Sequence, residues 1–110
     1  MAINMDKRRR ALTMELDYWF HAMDTCGDLL PRRGEVDGWT REELTDVVRR
    51  CRNSVDAVRL CAFAFATLDG NNPLDASVQS LIDVATGTAV HYINHANEVE
   101  TNFWMRYLKT

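Results

Sequence analysis

The sequence predicts an all-α fold, an antiparallel three-helix bundle whose third helix is longer than its partners and whose surface favours dimerisation. Three observations carry this. Apolar residues recur at steps of three and four, the helical period, along three long stretches. Only two segments gather the glycine, proline and asparagine that mark turns. No stretch alternates apolar and polar residues as a half-buried strand does. The 110 residues suit one domain, with helices expected over about 6–27, 40–68 and 73–108.

The first helix carries Leu12, Leu16, Trp19, Met23, Cys26 and Leu30 on one side, with Met5 continuing the stripe backward and Phe20 widening it. Asp6 is placed to cap its start and Gly27 to stop it. The segment from Cys26 to Trp39 holds Gly27, Pro31, Gly34 and Gly38 and reads as a loop.

The second helix opens on Thr40-Arg41-Glu42-Glu43, a capping box in which the threonine hydroxyl and the Glu43 carboxylate each satisfy a backbone N–H of the other. Its stripe is Leu44, Val47, Val48, Cys51, Val55, Val58, Ala62 and Phe65. It should end near Leu68, before the turn Asp69-Gly70-Asn71-Asn72-Pro73.

The third helix should begin at Asn72-Pro73, an N-cap followed by proline at the first helical position. Val78, Leu81, Ile82, Ala85, Ala89, Tyr92, Ala96, Val99, Phe103 and Tyr107 stay on one face. Gly87 projects to the opposite face and leaves the register unchanged. One continuous helix is therefore expected, with a bend or split at Gly87 as the alternative.

Composition narrows the class. Hydrophobic residues at 46% and charged residues at 26% fit a folded globular chain and exclude a disordered one. A net charge of -3 gives no overall attraction to nucleic acid or anionic lipid. No apolar run follows the basic residues at the start, and none is long enough to span a bilayer, so a cytoplasmic protein is expected. An opening methionine with no visible tag is what a complete small protein would show. Cys51 and Cys61 share a helix about 15 Å apart by rise, too far to pair, and reduced, buried thiols are expected for all three cysteines.

Leu60-Cys61-Ala62-Phe63-Ala64-Phe65-Ala66 is apolar nearly all round, and such a helix needs neighbours on every side. Trp104, Met105 and Leu108 likewise widen the end of the third helix. Phe63, Phe65, Trp104, Met105, Tyr107 and Leu108 are therefore the candidate interface, for a second copy or another protein. The alternative is that the loop with Val36 and Trp39, or the N-terminal arm, folds back over them.

His91, His95 and Glu98 fall on one strip of the third helix and are legitimate zinc ligands. No glutamate lies between the histidines as in H-E-x-x-H, and solvated boundary residues are the more ordinary account. Lys7, Arg8, Arg9, Arg10 and Arg49, Arg50, Arg52 form two basic clusters from which a DNA-binding surface could be built. The same half of the chain is equally rich in carboxylates, and no helix-turn-helix is apparent. The basic run also opposes the dipole of the first helix, which suggests a frayed start or an external acidic partner.

No nucleophile elbow, phosphate-cradling loop or C-x-x-C motif occurs, so no enzymatic activity and no cofactor is expected. The leading expectation is a non-enzymatic protein–protein interaction module of the adaptor or inhibitor type, homodimeric. The alternatives are a small DNA-binding regulator and a His/Glu metal-binding bundle. Eleven arginines against two lysines point to a bacterial or phage genome.

Overall fold

A computed structural model describes residues 5–32, 35–69 and 76–109. It holds three helices, α1 (Met5–Asp28), α2 (Arg41–Asp69) and α3 (Ala76–Lys109), packed as a helical bundle with no strand among the described residues. The bundle is slender, 64 × 20 × 17 Å along its principal axes.

The start of α2 forms as its sequence requires. The Thr40 hydroxyl accepts from the Glu43 N–H at 3.1 Å, and the Glu43 carboxylate accepts from the Thr40 N–H at 3.3 Å. Glu42 and Glu43 also place negative charge in the first turn, where the helix dipole favours it. α3 runs without a break through Gly87, which is exposed. The expected start of the third helix at Asn72-Pro73 lies outside the described residues.

Gly27 departs from expectation. It does not end α1 in a left-handed conformation; among the described residues only Gly38 has a positive φ, at 85°. α1 continues to Asp28, and Gly27 is buried against the ring of Tyr92.

Two apolar clusters make the core. One joins Leu16 and Met23 of α1, Val55, Val58 and Phe65 of α2, and Ile82, Ala85 and Ala89 of α3. The other joins Leu44, Val48 and Cys51 of α2 to Ala96, Val99 and Phe103 of α3. Tyr92 packs against both. At about 51 Å, α3 outreaches α1 at about 36 Å, and the loop makes up the difference. Leu30 and Val36 are buried in the second cluster, with Trp39 packed on it. This answers part of the demand for outside cover that the length of α3 created, because the chain's own loop supplies it.

Candidate functional site

The six apolar residues expected to form one surface are divided by the fold. Phe63 is 70% exposed and Leu60, one turn before it, 68%. Both lie on the side of α2 turned away from the core. Phe65 is 0% exposed. It fills the core cluster with Ile82 and Ala85, so it belongs to the interior and not to an interface. Two residues along a helix turn the side chain by about 200°, which is why Phe63 and Phe65 part company.

The α3 candidates sit at the far end of the bundle, roughly 30 Å away by helical rise. Trp104 is half-buried on the second cluster, under the Arg41 guanidinium, which lies 5.3 Å from its ring centre. Its neighbour Arg106 pairs with Asp37 of the loop and holds that carboxyl below the usual carboxylate range. Trp104 is thus largely engaged by its own chain. Met105 and Leu108 are exposed; the side chain of Tyr107 lies outside the described residues.

The basic clusters do not combine either. Arg49 and Arg50 both pair with Asp46, at 2.7 and 3.1 Å. Arg52 reaches across to α3, donating to both carboxylate oxygens of Glu100 at 3.2 and 3.3 Å and to the Asn97 side-chain oxygen at 2.6 Å. These arginines are held by carboxylates of the same chain. Lys7, Arg8, Arg9 and Arg10 lie near the other end of the bundle, roughly 25 Å along α1 from the level of Arg52, since Cys26 is the α1 residue that meets Ser54.

His91 and His95 stack face to face, with ring centres 6.4 Å apart. The His95 Nε2 lies 3.1 Å from the Pro31 carbonyl and donates to it, so one histidine ties α3 to the loop. His91, His95 and Glu98 line a shallow depression with Asn94. Among the described residues, however, no group of three His, Cys, Asp or Glu side chains could hold a metal ion. The helical strip supplies the ligand types without bringing their donor atoms together.

The thiols and the buried phenol are structural in character. Burial pushes the Cys51 thiol up to about 11, with a further push from Cys26. Cys61 is also raised by burial. Tyr92 rises to about 12 through burial and its hydrogen bond to Asp24. Such groups stay protonated near neutrality and offer no ready nucleophile.

Among the exposed apolar residues that escaped the sequence reading, Met14 at 73% and Tyr18 at 63% stand on the outer side of α1. With Asp17, His21, Ala22 and Thr25 they line a shallow groove. Their four-residue step, off the Leu12–Leu16 stripe, was the available signal.

Comparison of the chain with protein-family models, with curated proteins and with solved structures returned no match. No helix among the described residues is long and apolar enough to cross a membrane.

Proposed function

We propose that this chain is a non-enzymatic, helical protein–protein interaction module of the adaptor or inhibitor type, working in the cytoplasm as an antiparallel three-helix bundle that self-associates and engages a protein partner. The observation that carries this reading is the exposure of Phe63 and Leu60, 70% and 68%, one turn apart on the outer side of α2. Aromatic residues such as phenylalanine are enriched in the cores of protein interfaces, and an exposed one beside an apolar neighbour offers area to bury there. The antiparallel course is supported by the cross-helix pairs: Arg52 meets Glu100, while Arg41, earlier in α2, meets Trp104, later in α3.

A small anchor of this kind fits a modest interface better than an obligate one. The test is Phe63→Ser with Leu60→Ser, assayed for folding by circular dichroism and for partner capture from the native host. The folded variant should lose a partner that the unaltered chain retains. An unchanged set of bound proteins would remove α2 from the reading.

A further inference from the structure

We propose that a second copy of this chain docks on the outer face of α1, the two α1 helices running antiparallel about an axis near Met14 and Tyr18. The proposal rests on the interaction reading above for self-association, but it names a different surface.

The first ground is a second seam on α1. Lys7, Ala11, Met14, Tyr18, His21, Thr25 and Asp28 follow one another at steps of four and three, the spacing of a helix–helix seam. All seven are exposed and lie on the side of α1 opposite the buried Leu16 and Met23. The apolar members Ala11, Met14 and Tyr18 stand together, with polar residues toward both ends, so the seam has an apolar middle and a polar rim. Tyr18 is also positioned in advance: its ring meets Trp19 edge to face, with centres 5.1 Å apart and planes at 86°. An aromatic side chain already held in place loses little freedom on docking.

The second ground is charge, and it selects the occupant. Residues 7–10 of α1 are all basic; from residue 11 to its end the helix carries Glu15, Asp17, Asp24 and Asp28 and no lysine or arginine. This order is the reverse of what the helix dipole favours, with cations at the N-terminus and carboxylates in the last turn. A parallel copy would set like charges side by side. An antiparallel copy sets Lys7 of each chain toward Asp28 of the other, with Arg10 alongside, and each helix end meets the dipole of opposite sign. The acidic partner that the basic start of α1 calls for is thus present in the same chain. Asp17 approaches its own copy near the axis. It is exposed and His21 stands 3.9 Å away, so water screens that contact.

The experiment is sedimentation of the full-length chain over a wide concentration range, with charge-reversed variants whose altered residues are all exposed. Lys7→Glu with Arg10→Glu makes both ends of the α1 face acidic. Thr25→Lys with Asp28→Lys makes both ends basic. The unaltered chain should dimerise reversibly. Each variant alone should bind itself at least about ten-fold more weakly, and an equimolar mixture of the two should associate again. Circular dichroism on each variant establishes that it is folded. Phe63→Ser should leave the dimer intact. A chain that stays monomeric throughout, or variants that dimerise as well as the parent, would overturn the proposal. A dimer lost with Phe63→Ser and kept with the charge reversals would move the contact to α2, leaving the interaction reading in place and this one refuted.

Discussion

The ring of Tyr92 in α3 occupies the space that any side chain at Gly27 of α1 would need: a Cβ there would overlap the ring at Cε1, Cδ1 and Cζ. The ring cannot easily retreat. It packs against both core clusters, and its hydroxyl donates to the Asp24 carboxylate at 3.1 Å. One glycine therefore sets how closely the end of α1 approaches the middle of α3. Gly27→Ala should destabilise the fold by about 1–3 kcal/mol through overpacking, against a helix-propensity gain of about 1 kcal/mol. Urea denaturation measures the balance, and a stabilised variant would mean that the close approach is not constraining.

Phe63 and Phe65 should respond in opposite ways to the same substitution. Phe65→Ala empties a site that is 0% exposed and should cost about 3–5 kcal/mol. Phe63→Ala removes a ring that is 70% exposed and should stay within about 0.5 kcal/mol. Thermal denaturation of the two variants side by side makes the comparison. Equal losses would mean that Phe63 is covered within the chain.

The same two residues mark how far the sequence was legible. Helical period and the capping box made three helices legible, because each signal is local: a stripe repeats within one helix, and Thr40 and Glu43 are three residues apart. The parting of Phe65 from Phe63 was not legible, because facing is relative to neighbours. Phe65 looked like part of an all-round apolar helix until α3 was seen to bring Ile82 and Ala85 against it. Trp104 likewise is half-covered by its own chain, packed on the second cluster under Arg41. The histidine strip was read correctly as a strip, but a helix cannot specify what faces it. The charge order of α1 was visible throughout, and only the exposure of Met14 and Tyr18 gave it a surface.

Arg52 ties the middle of α2 to α3 with a fork onto Glu100 and a short contact to Asn97. Both charged side chains are 39% exposed, so the pair is partly screened. A double-mutant cycle with Arg52→Ala and Glu100→Ala should give a coupling of about 0.5–1 kcal/mol, falling as salt is added. Arg52→Lys should recover only part of it, since an ammonium cannot span both carboxylate oxygens. Zero coupling at low salt would show that the fork does not hold the helices together.

Alkaline pH should loosen the bundle in two overlapping stages. The Cys51 thiol stands at about 11 in the fold against 9.0 ordinarily, and Tyr92 at about 12 against 10.0, each raised first by burial. Above its ordinary value, each group releases its proton more readily in the unfolded chain than in the folded one. Proton uptake then favours the folded state less as the pH rises, and stability falls. The stability linked to these groups is whole below pH 9.0 and declines from there to about 12. Cys51→Ser shrinks the lower stage, to which Cys61, also raised by burial, contributes the rest. Tyr92→Phe removes the upper one while losing the bond to Asp24, about 1 kcal/mol at neutral pH. Urea midpoints across this range, for the unaltered chain and both variants, test the assignment. A flat profile for the unaltered chain, or a decline that both substitutions leave at full size, would place the alkaline sensitivity elsewhere.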